Sequence, residues 1–336
     1  MNQCSVPTRL VEYINAVMPD AHGHQRKTII NLVFALLSVQ SCCQATLARF
    51  FDNFEAASRR LSRFLRNPRL DGDALARAHA TALIAQLPGD GALRLALDWT
   101  SEEEQHLLIA SLQVGRRAVP LYWRAYHSAE LKKQMSRMER EFLRRLFQEV
   151  LKPVARRRFL LTADRWFADL DLLDLLDELG VSYVIRTKSS YKVRIDNEWR
   201  CLGSLRFAGN RRRRAWGRVW YTQGDPRRVY LVQARARDAK GKWGIWHLIS
   251  NRQLSAHCAV QEYGRRFTCE EGFRDCKRLL GFRQARISCI KAWARMFALV
   301  AIALLILHGI GIQLLARPDG LRTLRRVGRD GAGAPS

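Results

Sequence analysis

Tyr263, Arg266, Glu270 and Lys277 follow one another at offsets of zero, three, seven and fourteen residues. On an α-helix turning about 100° per residue, all four fall within an arc of roughly 60°. One face then carries a carboxylate flanked by a phenol, a guanidinium and an ammonium, a set suited to phosphate and metal chemistry. Glu271 points about 100° away, so Glu270 is the carboxylate the stripe selects. Cys269, Phe273, Cys276 and Leu280 lie beside the stripe and would hold the helix against a core. Two further carboxylates, Asp98 and Asp164, each close a short apolar run, Leu93–Asp98 and Phe159–Asp164. The stripe alone also fits a solvated helix with i, i+4 ion pairs, and each aspartate alone fits a strand-end turn. Three carboxylates without His or Cys partners favour Mg²⁺ or Mn²⁺ over zinc. Two such ions about 3.5–4 Å apart could activate an attacking oxygen and stabilise a leaving one at phosphorus.

The elements that would position these residues divide the chain into five stretches. Residues 1–90 read as helical: Arg26–Gln40 and Cys42–Phe51 form helices, and Ser58 is the expected N-cap of a basic helix stopped by Pro68. Gln44–Arg66 has the outline of a helix-turn-helix, which marks this stretch as a DNA-binding region. Residues 91–188 alternate as three strands, a helix (Met135–Leu151), a strand, a helix (Phe167–Leu179) and a strand. That order implies an α/β fold with a mixed sheet covered by helices. Ligands in such sheets gather at the carboxyl ends of strands, where Asp98 and Asp164 are expected. Residues 189–250 contain only short strands punctuated by Gly, Asn and Pro, an all-β insertion. Residues 251–316 carry the Glu270 helix and a buried apolar helix, and the Arg- and Gly-rich residues 317–336 are expected to be a flexible tail.

The 336 residues include 57 Lys and Arg against 31 Asp and Glu, a formal net charge of +26, with a pI near 10.7. Such an excess points to a polyanionic partner, nucleic acid before an anionic membrane. The 48% hydrophobic content supports packed cores and excludes a disordered chain. The eight cysteines show no CxxC pair and no zinc spacing, and residues 1–20 lack a secretory pattern, so reduced thiols in the cytoplasm are expected. Met296–Ala316 is long and apolar enough to span a bilayer. His308, Gln313 and two glycines interrupt it, and a helix buried in a soluble domain reads the same way, so no membrane partner is expected.

Asp98-Trp99-Thr100, the Asp164-Arg165-Trp166-Phe167 turn and Tyr263–Arg266–Glu270–Lys277 resemble the DDE transposases of bacterial insertion sequences, in the insertion-sequence family 4 branch. Its Y-(2)-R-(3)-E-(6)-K signature is met at every spacing. Phe267 stands where Trp is commoner, and Arg-Trp-Phe follows the second aspartate where Arg-Gly-Phe is more usual. The resemblance covers about residues 90 to 315. It implies a ribonuclease H-like mixed sheet interrupted by the β insertion, with Asp98, Asp164 and Glu270 as catalytic residues holding two Mg²⁺ ions, for which Mn²⁺ would substitute. It implies cleavage at transposon ends followed by strand transfer, often through a DNA hairpin. Tyr263, Arg266 and Lys277 would grip phosphates, and Trp246, or Trp243 in its place, would stack a flipped base. The implied partners are double-stranded DNA, both transposon ends and target, and a second copy of the chain in a synaptic dimer bound to the nucleoid. A non-catalytic DNA-binding regulator and a nuclease without strand transfer are the alternative readings.

Overall fold

The computed structural model describes residues 6–87, 89, 91–238 and 241–316. The tail expected over residues 317–336 lies outside the described residues. The chain divides into two compact units. The first combines the N-terminal residues up to Leu70 with Asp275–Ile287 and the chain from Arg295, and the second combines Asp71–Arg274 with Ser288–Ala294.

The first unit opens with four helices: α1 (Thr8–Val17), α2 (Gly23–Val39), α3 (Gln44–Arg49) and α4 (Phe54–Arg66). Helix α4 starts earlier than its sequence pattern suggests. Its N-cap is Asn53, whose side chain accepts a hydrogen bond from the Ala56 amide at 2.9 Å, while Ser58 is an exposed residue inside the helix. An N-cap must satisfy the orphan amides of the first turn, and Asn does this as well as Ser. Helix α4 buries Ala57, Leu61, Phe64 and Leu65 and turns Arg59, Arg60, Arg63 and Arg66 outward.

The second unit is built on one sheet. After α5 (Gly72–Ala85), β1 (Leu93–Glu102), β2 (Gln105–Val114) and β3 (Arg117–His127) form an antiparallel meander. A short α6 (Ser128–Leu131) leads into α7 (Met135–Arg144), which widens into a π-helical turn over Arg145–Val150. Then β4 (Phe159–Ala163) pairs parallel with β1, and after α8 (Leu170–Glu178), β5 (Ser182–Thr187) pairs parallel with β4. Strands β6 (Lys192–Ile195), β7 (Glu198–Cys201), β8 (Arg213–Tyr221), β9 (Arg227–Arg237) and β10 (Trp243–Ser250) follow, all antiparallel to their neighbours. The order is β3-β2-β1-β4-β5-β10-β9-β8-β6-β7, a single ten-stranded sheet. This mixed sheet with its helices fits the ribonuclease H-like expectation. The stretch expected as an all-β insertion, residues 189–250, carries strands β6 to β10. Strand β10 pairs with β5 from Ser250↔Val184 to His247↔Thr187, so these strands extend the core sheet.

Two helices then cross the sheet, α9 (Ala256–Arg265) and α10 (Phe267–Arg274). Ser255 caps α9 by accepting from the Cys258 amide at 3.1 Å. Helix α9 buries Ala259 and Tyr263 in a cluster with Val184, Val232, Trp246 and Leu248, whereas α10 buries Cys269 against Ala96 and Ala118. Helix α10 lies so close to β3 that a Cβ on Gly272 would sit 2.8 Å from the Ala118 carbonyl oxygen. A π-helical turn, Asp275–Leu279, follows in the first unit. The last helix, α11 (Ile290–Ala316), is long and apolar enough to cross a bilayer. Met296, Phe297, Val300 and Leu304 are nonetheless buried in protein. Its Arg295 is buried too, donating to the carbonyls of Leu65 at 2.6 Å and Leu70 at 2.5 Å.

Candidate active site

The two aspartates stand side by side because β1 and β4 run parallel. Their pairing ends at Leu97↔Ala163, so Asp98 and Asp164 are the next residues on adjacent strands. Neighbouring strands lie about 4.8 Å apart, which brings the two carboxylates into electrostatic contact. Asp164 follows the end of β4, as expected. Asp98 does not end its strand: β1 continues to Glu102 because β2 pairs with it throughout. The Asp98 carboxylate accepts from the Trp99 amide at 2.9 Å and the Asp164 carboxylate from the Trp166 amide at 2.8 Å.

Glu270 reaches this point through α10. The stripe is not one continuous α-helix. It breaks at Arg266, where hydrogen bonds run from Arg266 N to Tyr263 O and from Cys269 N to Arg266 O, the tighter i, i+3 pattern. Arg266, buried at the break, donates to Asp98 Oδ2 at 2.7 Å and to Glu270 Oε1 at 2.6 Å. One guanidinium therefore bridges the first and third carboxylates, and its Nε has no partner. The Cys269 thiol lies 3.7 Å from Asp98 Oδ2. Behind the bridge, Arg94 of β1 clamps Glu262 of α9 with two bonds of 2.7 and 3.0 Å. Glu271 turns away, to Arg117 at 3.2 Å.

Burial pushes the Asp98 carboxyl up to about 6, with Asp164 and Glu270 adding to the rise and Arg266 and the Trp99 amide opposing it. For Arg266, burial works against the charge, but Tyr263, Asp98 and Glu270 outweigh it and raise its pKa. Arg266 is thus the cation bonded to both Asp98 and Glu270, and their negative charge in turn holds it protonated. A buried carboxylate, Glu139 of α7, accepts from Trp99 Nε1 at 2.7 Å. Burial first, then Asp169 and Asp164, push it up to about 7.

Residues 130–306 match the family model of the transposase DDE domain. That span is more than half of the chain. The chain belongs to this transposase family. No curated protein matches it. Asp164 and Glu270 fall within the matched residues, and Asp98 precedes them. Transposases of this family typically use divalent metal ions, and the chemistry of the residues fits such ions: Asp98 lies within electrostatic reach of the hard carboxylates of Asp164 and Glu270. Among the described residues no group of three His, Cys, Asp or Glu side chains closes around one point, and Arg266 bonds both Asp98 and Glu270.

The other sequence-derived site residues of the transposase fare differently. Tyr263 is 1% exposed, packed edge-on against Trp246 with ring centroids 5.0 Å apart, and lies under the Arg266 guanidinium. It supports Arg266 rather than facing solvent. Trp246 is an inward residue of β10, 3% exposed and packed against Tyr263 and Phe267, and it shares the lining of one cleft with Trp243. Trp243, at the start of the same strand, is 48% exposed, with Arg212 and Arg237 over its ring at 5.9 and 4.9 Å. A cleft there is lined by Arg211, Arg213 and Arg235 as well. Lys277 falls in the π-helical turn, where the 100° progression no longer holds. Glu139 was missed by sequence reasoning, although it left a signal: it shares the buried face of α7 with Phe142 and Leu146.

Proposed function

We propose that this transposase cuts DNA at transposon ends and joins the freed 3′-hydroxyl to target DNA, a cut-and-paste reaction passing through a hairpin. The observation that carries the reading is the juxtaposition of Asp98 and Asp164 on parallel strands with Glu270 tied to Asp98 through Arg266. Asp98, Asp164 and Glu270 would hold two Mg²⁺ ions, or Mn²⁺ in their place. Bound there, such ions supply an activated attacking oxygen and charge neutralisation at the leaving oxygen.

The chain's own residues do the positioning. Arg266, braced by Tyr263, presents a guanidinium that can pass from the carboxylates to a substrate phosphate, where bidentate binding fixes orientation. Trp243 takes the base-stacking role in place of Trp246, with its neighbouring arginines on the backbone. The basic outer face of α4, with Arg59, Arg60 and Arg63 beside His24 and Thr28 of α2 in one groove, is suited to DNA. Lys277 adds a phosphate contact, and two copies of the chain hold the paired ends.

Asp98→Asn, Asp164→Asn or Glu270→Gln is expected to abolish Mg²⁺-dependent cutting of duplexes bearing the inverted repeats that flank the gene, with binding to those duplexes retained. Strand-transfer products should appear with a plasmid target. Full cutting by any one variant would remove that residue from the site, and full cutting by all three would end the reading.

A further inference from the structure

Trp166 is the most exposed large apolar side chain among the described residues, at 66%. It sits two residues after Asp164, and its backbone amide is bonded to the Asp164 carboxylate at 2.8 Å. The next residue, Phe167, is buried at 1% and donates its amide to the Asp164 carbonyl at 3.2 Å. The turn that displays the indole is therefore held by the carboxylate on one side and the core on the other. Two cations accompany the ring: Lys188, just past β5, places its ammonium 4.2 Å from the centroid, and the Arg165 guanidinium lies at 5.9 Å. Hydrophobic packing does not account for an indole so far into solvent.

We infer that Trp166 is a stacking platform for a nucleobase next to the scissile phosphate, with Lys188 and Arg165 on the adjoining phosphates. This rests on the DNA-cutting reading of the neighbouring carboxylates. An aromatic face flanked by cations takes an unpaired base with little sequence preference, since every base has a π-face and every nucleotide a phosphate. The chain's large positive charge matches the same ligand. Because Asp164 and Trp166 share one turn, a base on the indole would fix the strand relative to the carboxylate cluster. The platform is distinct from Trp243, which stands on β10 among Arg212 and Arg237.

The test compares wild type, Trp166→Ala and Trp166→Phe on two probes in Ca²⁺: a blunt duplex, and the same duplex with a single-stranded thymidine tail carrying one 2-aminopurine at the junction. The alanine variant is expected to bind the tailed probe more weakly by roughly 5- to 150-fold, the range of single base–aromatic stacks. It should also lose the 2-aminopurine quenching and bind the blunt duplex nearly as wild type does. The phenylalanine variant, keeping a ring, should fall between. Equal tailed-probe affinity and quenching in all three proteins would overturn the inference, as would a Trp166→Ala effect confined to self-association in sedimentation. Cutting in Mg²⁺ by wild type but not Asp98→Asn, run alongside, keeps failure of the platform separate from failure of the nuclease reading.

Discussion

Glu139→Gln should make the protein more stable at alkaline pH, and the effect can be sized from its surroundings. The carboxyl is 4% exposed, accepts from Trp99 Nε1 at 2.7 Å and has Asp169 and Asp164 for neighbours. Burial, then those two charges, raise it from the ordinary 4.5 to about 7. A group whose pKa is raised by folding contributes stability fully present below its unfolded value and lost as pH rises through the folded one. Each pH unit between the two values corresponds to ~1.4 kcal/mol, so ionised Glu139 costs the fold on the order of 3 kcal/mol above pH 7, as an upper bound. Glutamine keeps an acceptor for the indole and never ionises. Urea unfolding of both proteins at pH 5 and pH 8 isolates the charge, because any fixed effect of the amide cancels between the two pH values. The stability of Glu139→Gln relative to wild type should rise with pH and level off above pH 8. A difference that stays flat across that window would refute the argument.

Arg266→Met leaves Asp98 and Glu270 without their shared counter-ion, and losing one partner of a buried pair typically costs about 3–5 kcal/mol; Mg²⁺ should raise its melting temperature more than that of wild type. Gly272→Ala forces a Cβ to within 2.8 Å of a backbone oxygen on β3. It should destabilise the fold by about 1–3 kcal/mol, read by thermal melting, and lower cutting by shifting Glu270. Because Asp98 must lose its proton to hold a cation, Mn²⁺ affinity measured calorimetrically should weaken about tenfold per pH unit below pH 6.

Much of the second unit was legible because its strands are apolar runs bounded by turn residues, and two of those runs, ending in Asp98 and Asp164, lie side by side with their pairing closing at Leu97↔Ala163. What stayed hidden depended on partners remote in sequence. Asp98 looked like a strand end because its apolar run stops there, yet β2 carries the pairing on to Glu102. The Tyr263–Lys277 stripe presupposes one ideal helix, but α9 and α10 rest on different strands of the sheet and the helix breaks between them. Trp246 and Trp243 are both indoles on one strand, and only the covering helix α9 decides which is enclosed. Likewise, the strand pattern after residue 189 could not reveal that β10 would pair with β5.

The bridge from Arg266 to Asp98 and the clamp from Arg94 to Glu262 each span 168 residues of chain. At a synthesis rate of roughly 5–20 residues per second, the helix bearing Arg266 and Glu270 leaves the ribosome roughly 8–34 s after the strand bearing Asp98. Asp164 is made within that interval, so the two aspartates then precede the third carboxylate. Premature termination between Asp164 and Glu270 would accordingly yield fragments that carry both aspartates but lack Glu270 and the later residues that complete the first unit.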